Sequence, residues 1–390
     1  MCVMCISKLY EEIKEEIISI RRRIHSRPET AFMEFETADT ICQFLDKYKI
    51  RYKSHIAKTG ICAYIGDESK GKTVVFRADM DALEIEEKTG LEYSSEIKGV
   101  MHACGHDIHI ANALGICYVL KNFEESLQGC VKVIFQPAEE GAGGALPMIE
   151  EGVLENSVDL CLGMHVSPSY ETGTLYFKEG ALMASPDDFT IEFIGKGAHG
   201  AEPEKGINPI TVACDFICGV HGELSKKISF EENVFTVCSI NGGISNNVIP
   251  DRVNVSGTFR SFSQNDRKLC EKTLNEYAQS VCASYDAGYK LTYNYMFPPL
   301  INNPEECKKL KTFATSRIES SRVKELEKPL MTGEDFAYFA QKYPSVFVWA
   351  GCKKEGFDCS LHSSNFVADE NVLDTVVKLF SEYIIEYLKI

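Results

Sequence analysis

Cys130-Val131-Lys132-Val133-Ile134-Phe135-Gln136 is a short run dominated by β-branched and aromatic residues, and Pro137-Ala138-Glu139-Glu140-Gly141 closes it. An apolar run of this length, ended by proline and glycine, reads as a strand. Similar runs occupy Gly60–Gly66, 73–79 and 158–165. Between and after them the spacing turns helical, over 108–122 and 144–151. Upstream, Leu9, Ile13, Ile17, Ile20 and Ile24 recur at helical intervals across 8–27 until Pro28 stops the pattern. Strands alternating with helices predict an α/β fold built on a mainly parallel sheet covered on both faces.

The rhythm changes in the middle of the chain. A strand is expected over 188–195, a helix over 208–224, strands over 233–241 and 252–260, a helix over 264–283 and a strand over 289–295. That β-α-β-β-α-β order fits a ferredoxin-like α+β module of about 110 residues. After Pro298-Pro299 the α/β character resumes and runs to an amphipathic helix over 373–388. The expected organisation is a large domain formed by 1–184 and 297–390, with a smaller domain, 185–296, inserted into it.

Composition agrees with a chain of two or three domains. It has 390 residues, 44% hydrophobic and 25% charged, which supplies a sizeable core and excludes global disorder. With 41 Lys and Arg against 57 Asp and Glu, the net charge of -16 repels a phosphate backbone, so no nucleic-acid partner is expected. No stretch approaches 18 consecutive apolar residues, and the first residues lack the basic segment and apolar run of a signal peptide. A soluble cytoplasmic protein with no membrane partner is the expectation. The 16 cysteines are scattered, and most are expected to be buried reduced thiols acting as small hydrophobes.

Cys104 departs from that description. It lies in Met101-His102-Ala103-Cys104-Gly105-His106-Asp107-Ile108-His109, the densest polar cluster of the chain, at the mouth of a predicted helix. Cys104 and His106 are two residues apart, so in an extended segment both side chains point the same way and can meet one ion. Thiolate, imidazole and carboxylate together suit zinc or a similar borderline metal. Glu139 and Glu140 follow a strand, where open α/β sheets place their ligands. Consecutive side chains there diverge, so one can hold a metal while the other faces the reacting atom as a base. Read alone, the Glu-Glu pair fits a solvated surface better than a site. His165, at the end of another strand, and His362, in Leu361-His362-Ser363-Ser364, each offer one more imidazole. Two alternatives stay open at this point: a hydrolase with Cys104 as nucleophile, and a metal- or ligand-binding protein without turnover.

Taken together these motifs resemble the dinuclear metallopeptidase superfamily of aminoacylases and carboxypeptidases, in its N-acyl-amino-acid amidohydrolase branch. That branch contains hippurate hydrolases, indole-acetyl-amino-acid hydrolases and N-acetyldiaminopimelate deacetylases. The resemblance runs through His25-Ser26-Arg27-Pro28-Glu29, Arg77-Ala78-Asp79-Met80-Asp81-Ala82-Leu83, the Met101 to His109 cluster and Gln136 to Gly141. It continues through Gly197-Ala198-His199-Gly200-Ala201, Asn247-Val248-Ile249-Pro250, Gly257-Thr258-Phe259-Arg260, Glu334-Asp335-Phe336 and Leu361-His362-Ser363-Ser364.

The resemblance implies two divalent ions, zinc, manganese, cobalt or nickel, held by Cys104, His106, Glu140, His165 and His362, with Cys104 or Glu140 touching both. Glu139 would be the general base in metal-dependent hydrolysis of N-acyl-L-amino acids. It implies that the larger domain is catalytic and that the insertion is a lid through which a homodimer forms, carrying His199 for the oxyanion and Asn247 and Arg260 for the substrate carboxylate. Arg260 has independent support, because it alternates with Val253, Val255, Gly257 and Phe259 and so falls on the polar face of its strand. Asp79 matches an acidic position that in sister families orients a metal-binding histidine, yet Arg77 stands in that histidine's place. Asp79 and Asp81 are therefore expected in structural or supporting roles. For the acyl pocket, Phe189, Met183 and Phe297 are named only by their nearness to the domain joins, with core packing as the simpler role.

Overall fold

The computed structural model describes residues 3–141, 143–154 and 158–389. They form two compact units. The first contains the chain up to Leu182, Ile301–Lys328 and everything from Tyr338 onward; the second is Met183–Leu300 with Pro329–Ala337. The second unit thus begins two residues earlier than the sequence reading placed it, ends four later, and takes in a short segment that the reading left with the larger domain. Leu330 joins it through a bridge to Met183 and by accepting a hydrogen bond from Ala184 N.

The first unit has a mixed α/β fold around an eight-stranded sheet. Its order is Arg51–Ile56, Gly60–Gly66, Gly129–Gln136, Lys72–Asp79, Leu160–Glu171, Ser345–Lys353, Leu175–Phe177, Val323–Glu325. The central four, Gly129–Gln136 through Ser345–Lys353, are parallel neighbours. All eight residues of Gly129–Gln136 are buried, as an internal strand covered on both faces requires. Helix His106–Lys121 is buried along almost its whole length, so it shows little amphipathic contrast. Gly105 caps it at φ 86°, and a Cβ there would meet Val166 Cγ2 at 2.5 Å, which explains glycine between the two metal-type residues Cys104 and His106. No helix among the described residues is long and apolar enough to cross a membrane.

Helix Val3–Ser26 carries the expected stripe, with Ile13, Ile17 and Ile24 buried and Tyr10 joining them, while Leu9 and Ile20 are half-buried. The stripe also contains Arg21, fully buried. Its Nε lies 2.7 Å from Asp107 Oδ2, which His25 Nδ1 approaches at 2.8 Å, and its Nη1 lies 3.3 Å from Glu370. His25 Nε2 is 3.4 Å from Glu87. Burial works against both carboxylates, yet Arg21 and His25 hold Asp107 well below the usual range, and hydrogen bonds from His25 and Thr89 take Glu87 down to about 2. A folded pKa below the unfolded value stabilises the fold above about pH 4 and loses that contribution as pH falls further. The urea midpoint should therefore drop as pH goes from about 5 towards 2, and Glu87→Gln should flatten part of that slope. A slope equal to wild type would remove Glu87 from the account.

The second unit contains a four-stranded antiparallel sheet ordered Asn233–Gly242, Arg252–Ser261, Ser185–Ile194, Gly288–Asn294. Phe189, Ile191, Phe193, Val253, Val255 and Phe259 fill one face against helices Pro209–Ser225 and Gln264–Tyr285. Asn208 and Ser263 cap these helices by accepting from Ile210 N and Asp266 N. Phe189 belongs to this core, and Met183 and Phe297 are buried as well.

Candidate metal centre

The carboxyl end of strand Gly129–Gln136, the start of helix His106–Lys121 and the middle of strand Leu160–Glu171 converge; His165 lies inside that last strand, which runs on to Glu171, and not at its end as the sequence suggests. Cys104 Sγ lies 3.2 Å from Nε2 of His165 and 3.2 Å from Nε2 of His362. Three donor groups, each with its atoms within 4.8 Å of one another, overlap here: Cys104, His106 and His165; Cys104, Glu140 and His362; His106, Glu139 and Glu140. The five residues named as metal ligands and the one named as base are thus brought together, although the chain between His165 and His362 includes the entire second unit up to Leu300.

Local backbone explains the convergence. After strand Gly129–Gln136 the chain turns through Ala138 at φ 55°, a conformation that L residues adopt only under constraint. Glu34 Oε1 accepts from Ala138 N at 2.9 Å, and Asp81 takes both following amides, Glu139 N at 3.0 Å and Glu140 N at 2.9 Å. A buried carboxylate accepting two backbone N–H groups is a strong clamp, so Asp81 aims the two glutamates from below. Its Oδ1 also lies 3.3 Å from His106 Nδ1, which leaves Nε2 of that ring towards Glu140. His362 sits at φ 59° with its N–H on Ala103 O at 2.9 Å.

The electrostatics favour a cation. Burial works against a charged His106, yet Asp79, Asp81 and Glu140 around it raise its pKa to about 10. Burial likewise opposes an ionised Glu140, but His362 and His106 bring it down to about 2. Burial and the two neighbouring glutamates push the Cys104 thiol well up. A thiol surrounded by carboxylates is the reverse of the electropositive setting that activates a cysteine nucleophile. The same thiol suits a site where a divalent ion supplies the missing positive charge. His165 is kept neutral, chiefly by burial and by the His109 ring, as a ligand imidazole must be. Neither ring nitrogen of the fully buried His106 makes a hydrogen bond. The donor set of one thiol, three imidazoles and a carboxylate therefore fits a pair of borderline divalent ions.

The remaining site candidates lie in the second unit. His199 and Asn247 sit together on a two-stranded ribbon in which His199 pairs with Val248 and Gly200 N donates to Asn247 O at 2.7 Å. Ala201 N donates to His199 Nδ1 at 3.0 Å, so the exposed Nε2 carries the ring proton. Arg260 is half-buried on the polar side of Arg252–Ser261, and burial lowers its pKa, with Asp187 countering.

Sequence reasoning left the work of Asp81 unassigned and passed over His109 and Trp349. Asp79, His106 and His109 form another convergent group. His109 follows His106 by three positions, which puts both rings on one helix face, 5.4 Å apart. That spacing was a usable signal. Trp349 faces His165 at 4.9 Å from the neighbouring strand, a placement that no local pattern announces.

A family model described as peptidase family M20/M25/M40 matches residues 75–386. The chain is 38% identical over 369 residues to thermostable carboxypeptidase 1 of Saccharolobus solfataricus, covering 93% of each. It is 36% identical over 363 residues to N-acetyl-L-cysteine deacetylase of Bacillus subtilis, covering 93% of this chain and 85% of the relative. A solved structure of a Bacillus subtilis protein described as a dinuclear metal binding peptidase from the M20 family superposes with a TM-score of 0.84 at 33% identity, covering 97% of this chain and 99% of that one. The chain belongs to peptidase family M20/M25/M40.

Proposed function

We propose that this protein is a metal-dependent amidohydrolase that cleaves the amide bond of N-acyl-L-amino acids, releasing a carboxylic acid and a free amino acid. The observation that carries the reading is the pair of donor groups sharing Cys104, with Glu139 beside them. Cys104, His106, Glu140, His165 and His362 would hold two divalent ions. Bound there, the ions would polarise the acyl carbonyl and bring the pKa of a water to roughly 7. Glu139 takes the proton from the attacking water and passes it to the departing nitrogen. As charge grows on the carbonyl oxygen, His199, which the family resemblance implies reaches across from the partner subunit, donates its Nε2–H to it, in the tautomer that the Ala201 bond selects. Arg260 and Asn247 receive the α-carboxylate, Arg260 through its planar pair of donors.

Both chemistries named for the relatives, carboxypeptidase and N-acetyl-L-cysteine deacetylase, support an amide whose amine half is an amino acid with a free carboxylate. A homodimer formed through the second unit belongs to this reading. Exposed apolar side chains in that unit, Val234, Ile240, Val248 and the 97% exposed Ile244, support it. The cysteines among the described residues are free thiols, in keeping with a cytoplasmic setting.

The test is a panel of N-acetyl, N-benzoyl, N-succinyl and indole-acetyl amino acids assayed with zinc, manganese, cobalt and nickel. Chelator should abolish hydrolysis and added divalent ion restore it. Turnover that survives chelation and dies on alkylation of Cys104 would replace this reading with the thiol mechanism. Arg260→Ala should raise KM about 10- to 100-fold for substrates with a free carboxylate, the weight of a charged hydrogen bond. An equal loss on the matching amides would contradict the assignment.

A further inference from the structure

Strand Leu160–Glu171 outruns its neighbour. Its pairing with Lys72–Asp79 covers Leu160 to Gly163 and stops there. Three residues further on, Val166 N donates to a side chain instead, His109 Nε2 at 3.0 Å. Val166 O accepts from His165 Nδ1 at 2.7 Å. Both backbone polar groups of Val166 are therefore engaged by imidazoles.

The protons on these rings follow from the partners. His109 Nδ1 lies 2.5 Å from Asp79 Oδ1, and a carboxylate only accepts, so Nδ1 carries the proton and Nε2 the lone pair that Val166 N–H meets. Asp79 Oδ2 accepts from Arg77 Nη1 at 2.6 Å, and Arg77 Nε donates to Gln136 Oε1 at 2.8 Å. Gln136, Arg77, Asp79 and His109 are all buried. Both nitrogens of His109 are thus committed, which removes it from the ligand set although it stands among the ligands. Its ring lies edge-on to His165 at 4.6 Å, with Trp349 also against His165 at 4.9 Å. His165 Nδ1–H is tied to its own strand, and its Nε2 lone pair is turned towards Cys104.

We infer that His109 is a positioning residue: acting through the main chain of Val166, it fixes the ring orientation and tautomer of His165, and Asp79 and Arg77 act through it. The inference rests on the reading of His165 as a metal ligand. Partners of this kind, one shell out from the ligand, commonly change metal affinity about 10- to 100-fold when removed. A histidine that merely fills the core would change stability and leave metal affinity alone.

Trp349 is the only tryptophan in the chain and lies against His165, so its emission reports an open-shell ion bound at that ring. Metal-free wild type, His109→Phe and His109→Gln are titrated with Co2+ while emission is followed, with equilibrium dialysis for stoichiometry and circular dichroism for folding. Phenylalanine keeps the volume and removes both bonds; the glutamine amide oxygen can still accept from Val166 N. Quenching should need about 10- to 100-fold more Co2+ in His109→Phe, and return to within about threefold of wild type in His109→Gln. If the phenylalanine variant does not fold, His109→Asn, which reaches Asp79 but falls short of Val166, takes its place with the same expected weakening. Quenching of the variant at wild-type concentrations overturns the inference. A wild type that neither quenches nor binds Co2+ in dialysis overturns the metal reading itself, a separate outcome.

Discussion

Glu139→Gln should retain the wild-type metal content and lose hydrolysis by about 10²- to 10⁴-fold in kcat, the usual weight of a general base. Glutamine keeps the shape of the side chain, and the backbone clamp that sets its direction is untouched, because Asp81 Oδ1 accepts from the amide of residue 139 whatever side chain stands there. Glu140, held by the other oxygen of Asp81, keeps its own place. What disappears is the capacity to take a proton from water and return it to the leaving amine. Metal content measured by elemental analysis alongside kcat separates the roles. A variant with full turnover would remove Glu139 as the base, and one emptied of metal would move it into the ligand set.

Asp107→Ala should cost about 3–5 kcal/mol of stability, because it leaves the fully buried Arg21 guanidinium without its nearest carboxylate. Glu370, at 3.3 Å from Arg21, faces Arg22 as well and is a poorer substitute. Replacing both partners, Arg21→Met with Asp107→Leu, should lose far less than the single change, since a buried pair exchanged for apolar packing is often close to neutral. The measurement is the urea midpoint of Asp107→Ala, of Arg21→Met and Asp107→Leu singly, and of the double variant. Losses that simply add would show that the two side chains do not act as a pair.

Much of this molecule was legible because its signals are local. The central strand Gly129–Gln136 is a mostly apolar run closed by proline, and the alternation of Val253, Val255, Gly257 and Phe259 with polar residues appears as buried and open sides of one strand, whereas the central strand Ser345–Lys353 was not singled out in the sequence. Cys104 and His106 were legible as ligand types two residues apart, although what brings them together is a turn with Gly105 at φ 86° at the helix start and not the extended segment the spacing suggests. Asp81 was not, since its work is to hold the amides of residues 58 and 59 positions away, and backbone acceptors leave no mark in the side-chain pattern. Arg21 hid for the opposite reason: charged residues are expected on the wet side of an amphipathic helix, and only the distant Asp107 makes its burial tolerable. The segment Pro329–Ala337 was assigned to the larger domain because nothing in its own sequence points to the bridge between Leu330 and Met183.

The residues proposed as ligands come from four separate stretches of one unit, and the last of them arrives late. During synthesis Cys104, His106, Glu140 and His165 emerge first, and His362 follows only after about 200 further residues. At translation speeds of about 5–20 residues per second the nascent chain spends roughly 10–40 s with an incomplete set. On this reading the full donor set waits for completion of the polypeptide, and a chain stalled on the ribosome before residue 362 would carry an open thiol among carboxylates with only two of the three imidazoles in place.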